Sequence, residues 1–215
     1  MAYLDECSKL TQLQPNDEKC IPLNTPWTFW IDRTDCRGLS AEDYERNLKK
    51  IYTVDTVQTF WQVYNNIPSV NELGPNYSYH LMREQHRPIR EDGVHKDGGA
   101  WRCRLASSDT KAIWQELLLA AIGEQLTDSD NPTELLGISV ALRDGDDMIQ
   151  LWHANACTEQ TSKIPDRLEH VLPSGFRFLM RFYKAHHTIH PYRGGGGSSA
   201  SHSGRRGSNY SPLYI

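Results

Sequence analysis

Several things that would mark this chain for common roles are missing from it. Its 215 residues carry a formal net charge of −4, so there is no basic excess of the kind that holds long duplex nucleic acid. A short nucleotide or a single RNA end stays open, because a local pocket with a few arginines suffices for one. The five cysteines, Cys7, Cys20, Cys36, Cys103 and Cys157, are odd in number and include no Cys-x-x-Cys. That spacing argues against a disulfide frame or a zinc site, and for reduced thiols in a cytoplasmic or nuclear protein. The opening MAYLDECSKL has neither a basic start nor an apolar run, so it does not read as a signal peptide. No stretch has the length of a membrane span.

Chemistry-bearing motifs are equally sparse. Gly194–Gly197 is followed by neither Lys-Ser/Thr nor a helix, so it is not a phosphate loop. His186, His187 and His190 have helical metal-pair spacing but sit where patterning ends. Asp144, Asp146 and Asp147 place their glycine at the second position of the cluster, not the sixth, and so read as a turn instead of a calcium loop. No Ser/His/Asp or Cys/His grouping stands in a context that recommends a nucleophile. Neither metal nor cofactor is expected, and an enzyme has little to stand on.

Six tryptophans are what the chain does have: Trp27, Trp30, Trp61, Trp101, Trp114 and Trp152. Indole fills cores, and it also offers a flat, electron-rich face to a base or a planar cation. Arg143 lies in a hairpin just before Trp152, and Arg90 and Glu91 lie just before Gly98-Gly99-Ala100-Trp101. An N7-methylated guanine is a cation that aromatic faces attract, and its Watson–Crick edge offers two N–H donors to one carboxylate. Its phosphates need arginine or lysine. Glu91, Arg143 and Trp152 supply those three chemistries.

Patterning is continuous from Trp27 to about Tyr183, which predicts one domain over 21–190. A polar arm (1–20) precedes it and a Gly/Ser-rich tail (191–215) follows it, both read as flexible. Strand-like runs are TPWTFWIDR, NLKKIYTV, NYSYHLMR, AWRCRLA, LLGISVALR, DMIQLWHANA and FRFLMRFY. Asp144-Gly145 is the strongest turn cue, joining two of them as a hairpin. Three helices interrupt the strands: one over Asp55–Ile67 capped by Asp55, one from Ser108, and one over Ser162–Val171 with Pro165 in its first turn. The pattern predicts an α+β fold, an antiparallel sheet backed by helices. On the first helix, Val57, Phe60, Trp61 and Tyr64 form a single stripe. Periodicity alone buries Trp61; the alternative leaves Val57 and Trp61 at the stripe's edge as an apolar patch for a partner helix.

The runs TPWTFW, NLKKIYTVDTVQTFWQVYNNI, RPIREDGVHKDGGAW, IWQELLLAAIGEQ and ISVALRDGDDMIQLW keep an order and spacing that resembles the translation initiation factor 4E family of mRNA cap-binding proteins. The likeness covers Pro22 to Arg193 and is nearest to the family's third class. It implies a single domain with a curved antiparallel sheet, three helices on its convex back, and a methylated guanine held between two aromatic side chains in the cup. By position, the first aromatic falls on Tyr44. The second falls on Arg90, whose guanidinium can stack but adds like-charge repulsion against a cationic base. Glu91 takes the base edge, Trp152 the methyl group and Arg143 a phosphate. Two further basic positions fall on Met148 and Ala100, and Arg193 stands where it could partly replace them. On the convex face the resemblance implies a groove for a Tyr-x-x-x-x-Leu-φ helix of a scaffold subunit or repressor, at Pro22, Leu23, Val57, Trp61, Glu116, Leu119 and Gly123. Gln115 stands where an apolar contact is expected. The expected protein is a monomeric binding module for the capped mRNA 5′ end, in translation initiation or its regulation. The alternative is a regulator that sequesters partners and has largely lost cap binding.

Overall fold

The computed structural model describes residues 20–34, 41–128 and 130–186. The expected arm, apart from Cys20, and the whole of the expected tail, with Arg193, lie outside the described residues.

Among the described residues, seven strands form one antiparallel sheet. They are β1 (Pro22–Arg33), β2 (Lys49–Thr56), β3 (Tyr77–Arg83), β4 (Gly99–Leu105), β5 (Leu135–Ala141), β6 (Asp147–His153) and β7 (Met180–Ala185). Their order across the sheet is β2-β1-β3-β5-β6-β4-β7. Each expected run overlaps one of them; β1 starts three residues before TPWTFWIDR, and β7 begins later and ends later than FRFLMRFY suggested. Breaks of register in β1 and between β5 and β6 bend the strands.

Alternation assigns the two faces. Trp27, Phe29 and Ile31 of β1, Leu81 of β3, Trp101 and Cys103 of β4, and Ile149 and Leu151 of β6 join the main core beneath the helices. Their neighbours in sequence point to the other side, which we call the cup. A smaller buried cluster there contains Trp30, Leu48, Met82, Ile89, Leu136 and Trp152. Five of the six tryptophans are thus buried, and Trp61 is half-buried.

Among the described residues, four α-helices accompany the sheet: α1 (Ala41–Asn47), α2 (Val57–Asn66), α3 (Ser107–Ile122) and α4 (Ile164–Val171). The short α1 adds one to the three expected. The expected cap Asp55 is corrected to Thr56, because pairing of β2 with β1 runs through Pro22↔Thr56 and keeps Asp55 in the strand. Thr56 and Thr59 then cap reciprocally, each side-chain oxygen accepting the other's backbone N–H at 3.1 Å. Along α2, Phe60 and Val63 are buried, while Val57, Trp61 and Tyr64 are half-buried. The stripe is therefore split, not wholly inside. Helix α3 buries Ile113, Trp114, Leu117 and Leu118 on the sheet. The Asp147 carboxylate ties this helix to the β5–β6 hairpin, accepting from Thr110 Oγ1 at 2.7 Å and from the Arg143 N–H at 3.0 Å. Pro165 does sit in the first turn of α4.

Candidate functional site

Strand register lays the cup's floor in three rows. Thr28, Met82, Gly137, Trp152, Ala100 and Lys184 lie side by side across β1, β3, β5, β6, β4 and β7. The next row is Trp30, His80, Ser139, Gln150, Arg102 and Phe182, and the third is Asp32, Ser78, Ala141, Met148, Arg104 and Met180. Met82 can cross the floor because Gly137 has no side chain: a Cβ there would meet Met82 Sδ at 2.4 Å and the Leu81 carbonyl at 2.8 Å.

Trp152 is buried in this floor, at 3% exposure. His95 and His186 cover its ring, with centroids at 5.0 and 5.2 Å. His95 Nε2 bonds the Arg87 carbonyl at 2.9 Å, and His186 Nδ1 bonds the His95 carbonyl at 2.7 Å. A carbonyl only accepts, so each of those nitrogens carries the hydrogen. Burial, the largest influence, pushes His95 down to about 4 and also lowers His186. Both rings are therefore neutral at pH 7. Each leaves one nitrogen, His95 Nδ1 and His186 Nε2, buried without a hydrogen-bond partner, and Trp30 Nε1 on the floor is in the same condition. Buried polar atoms without partners are costly.

Tyr44 comes to the cup on α1. Its hydroxyl is shared between Asp32 Oδ2 at 3.2 Å and the Pro88 carbonyl at 3.3 Å, and its ring packs on the cup cluster. Burial first, then the Asp32 charge, raises its ionisation well above that of a free tyrosine. The bond to the Pro88 carbonyl, with Ile89 in the same cup cluster, brings the chain that continues into Arg90 and Glu91 to the Tyr44 end of the cup. Both Arg90 and Glu91 are exposed. The loop carrying them is braced by Arg87, which pairs with Asp92 at 2.9 Å and with Glu45 of α1.

Beneath Tyr44 lies a chain of hydrogen bonds that residue spacing had not revealed. Trp152 Nε1 donates to Ser139 Oγ at 2.7 Å, Ser139 Oγ meets His80 Nδ1 at 2.7 Å, and His80 Nε2 meets Asp32 Oδ2 at 2.6 Å. A Ser/His/Asp grouping thus exists, assembled by strand register and not by spacing along the chain. Ser139 is fully buried and its oxygen is taken by Trp152, so it offers no nucleophile. Burial pushes the Asp32 carboxyl up, but the hydrogen bond and electrostatic attraction of His80, followed by hydrogen bonds from Thr34 and Tyr44, outweigh it and hold the group below the ordinary carboxylate range.

Basic groups are distributed differently from expectation. Arg143 is exposed at the hairpin, with Nη1 on the Leu142 carbonyl at 3.0 Å. Met148 and Ala100 stand where charges are lacking, but Arg102 and Lys184 lie close by on the same face, with Ala100 directly opposite Lys184. Repulsion from Arg102, then burial, then Arg90, lowers Lys184. Arg102, Arg90 and Lys184 therefore share one electrostatic neighbourhood. Among the described residues no group of three or more His, Cys, Asp or Glu could hold a metal ion, and no helix is long and apolar enough to cross a membrane.

On the opposite face, the Val57 N–H donates to the Ile21 carbonyl at 2.9 Å, setting Pro22 and Leu23 beside the start of α2. Trp61 stacks edge-on against Phe60 and Tyr64, with centroids at 5.3 and 5.7 Å. Tyr64 Oη donates to Gln115 Oε1 at 3.4 Å, so Gln115 spends its polar group on α2. Glu116 and Gly123 are exposed, and Leu119 is half-buried.

A sequence model of the family described as eukaryotic initiation factor 4E matches residues 22–194. Eukaryotic translation initiation factor 4E-1 of Phaseolus vulgaris is 34% identical over 138 residues, 64% of this chain and 58% of that protein. Eukaryotic translation initiation factor NCBP of Arabidopsis thaliana is 31% identical over 166 residues, 77% of this chain and 73% of that one. The chain thus spans under two thirds of the length of the plant 4E-1 protein. Among solved structures, Ascaris suum eIF4E-3 in complex with an m7G cap has a TM-score of 0.66 at 27% identity, covering 79% of this chain and 93% of that one. Caenorhabditis elegans eIF4E-3, in complex with the 4E-binding protein Mextli and a cap analogue, also has a TM-score of 0.66, at 28% identity over 78% of this chain and 94% of that one.

Proposed function

The chain belongs to the eukaryotic initiation factor 4E family, and on that premise we propose that its cup binds the 7-methylguanosine cap of mRNA, in translation initiation or its regulation. One observation carries this reading: Tyr44 packs on a cup cluster that includes Trp152 and Ile89, and its hydroxyl bonds the Pro88 carbonyl, so the loop that leads into Arg90 and Glu91 opens onto the cup beside it. Glu91 accepts the two N–H donors of the guanine edge. Tyr44 and Arg90 flank the base, and Trp152 lies towards the methyl group. Arg143, and Arg193 beyond the described residues, serve the phosphates. Arg102 and Lys184 supply charge near the positions left empty by Met148 and Ala100. The nematode relatives solved with cap ligands support the assignment. Binding without turnover is the activity proposed, with the cytoplasm as its main compartment and the nucleus as a second.

The convex surface formed by Pro22, Leu23, Val57, Trp61, Gln115, Glu116, Leu119 and Gly123 takes a Tyr-x-x-x-x-Leu-φ helix of a scaffold subunit or repressor, and the protein acts as a monomer. A second reading, a regulator that sequesters partners with little cap affinity, draws on Arg90 in an aromatic's place and on the burial of Trp152. Retention on immobilised 7-methyl-GDP tests the choice. Cap binding requires release by free 7-methyl-GTP and loss of retention in Glu91→Ala; passage of the wild-type protein unretained, with peptide binding intact, favours the second reading.

A further inference from the structure

The buried chain from Trp152 to Asp32 has a direction. Trp152 Nε1–H can only donate, so Ser139 Oγ accepts from it. The arrangement that gives every atom a partner then has Ser139 donating to His80 Nδ1, and His80 donating from Nε2 to Asp32. In that arrangement the proton shared with Asp32 rests on His80 Nε2 and the carboxylate keeps its negative charge. Tyr44 donates to Asp32 from the other side, and Thr34 Oγ1 donates to Asp32 Oδ1 at 3.0 Å. Every donor points towards one carboxylate that is 2% exposed and faces no guanidinium or ammonium among its hydrogen-bond partners. Both the aromatic at the cup's entrance and the tryptophan in its floor are thus oriented by the same anion.

We propose that Asp32 is a specificity-determining residue: a buried negative charge that makes the cup select a positively charged base over a neutral one, acting beneath Tyr44 and, through His80 and Ser139, on Trp152. This rests on the cap-binding reading and deepens it, by assigning methyl selectivity to a residue that need not touch the methyl group. The physical basis is twofold. A carboxylate in a poorly screened interior attracts a cation over several ångströms, and it gives a neutral base of the same shape no such advantage. A hydrogen-bond chain that ends on an anion also polarises the indole N–H outward, which enriches the ring face that a cationic base meets. Arg90, which repels a cationic base, makes a compensating anion in the cup more consequential.

The test measures affinities of 7-methyl-GTP and GTP for the wild-type protein and for Asp32→Asn, with thermal melting of both. The substitution keeps shape and removes charge. The expected result is a fall of about five- to tenfold in the ratio of methylated to unmethylated affinity, with GTP affinity little changed. A purely structural role lowers both affinities together or lowers only the melting temperature; an unchanged ratio overturns the proposal. If Asp32→Asn does not fold, Asp32→Ser replaces it, removing the charge with a smaller polar side chain. The ratio should fall in the same way, and an unchanged ratio again overturns the proposal. A wild-type protein that binds neither nucleotide refutes the cap-binding reading itself, a different outcome from a methyl preference that survives Asp32→Asn.

Discussion

Arg83 and Glu124 are joined by two hydrogen bonds of 2.7 Å, Nη1 to Oε1 and Nη2 to Oε2. The guanidinium is 2% exposed, lies 4.6 Å over the Trp27 ring, and also donates to the Leu135 and Pro132 carbonyls. The pair pins the end of α3 to β3 and to the chain leading into β5, and so holds the convex helices in place under the cup. Glu124→Ala leaves a buried cation without its counter-charge and should cost about 3–5 kcal/mol in urea unfolding. A cost under about 1 kcal/mol would mean that the carbonyl partners alone satisfy Arg83.

Strand and helix periodicity made most of this fold legible. The alternation in TPWTFWIDR correctly separates Trp27, Phe29 and Ile31 from Thr28, Trp30 and Asp32. What it could not supply is register. Asp32, His80 and Ser139 are distant in sequence, and each looks like an isolated polar residue on a strand. Only the pairings Trp30↔His80 and His80↔Ser139 bring them into one chain. Arg102 and Lys184 escaped notice for the same reason, their proximity depending on the β4–β7 pairing. The cap of α2 was misread because Asp55 outranks Thr56 as a capping type, whereas strand pairing decided where the helix could start.

Stability should depend on pH through His95. Burial holds its folded-state value near 4, against 6.5 for a free histidine. The unfolded chain therefore binds more protons between those values, so stability is fully present above about pH 6.5 and falls as pH drops towards 4. The slope from this one group approaches about 1.4 kcal/mol per pH unit in that window. Urea titrations of wild type and His95→Gln at several pH values check this. The variant should lose part of the slope, and an identical slope would remove His95 from the account.

Arg90→Trp should tighten binding of a methylated cap analogue. A missing stacking partner is worth about 1–3 kcal/mol, or roughly 5–150-fold in affinity. Isothermal titration of the variant against wild type reads this directly, and no change would mean that residue 90 does not face the base.

Trp61 is half-buried between Phe60 and Tyr64, so its two proposed roles can be separated. Trp61→Ala should cost less stability than the roughly 3–5 kcal/mol of a fully buried tryptophan, while weakening a Tyr-x-x-x-x-Leu-φ peptide by about 2 kcal/mol or more. Melting curves alongside peptide titration distinguish these effects; full destabilisation with unchanged peptide affinity would argue against the docking surface.

The central claim is that the cup recognises a methylated, positively charged guanine. Titration of 7-methyl-GTP and GTP into the wild-type protein, followed by tryptophan fluorescence, tests it most directly because Trp152 and Trp30 both lie in the cup's floor. The account predicts a saturable change in emission with 7-methyl-GTP, and an affinity for GTP lower by about tenfold or more. Equal affinity for the two nucleotides, or no response to either, would contradict it.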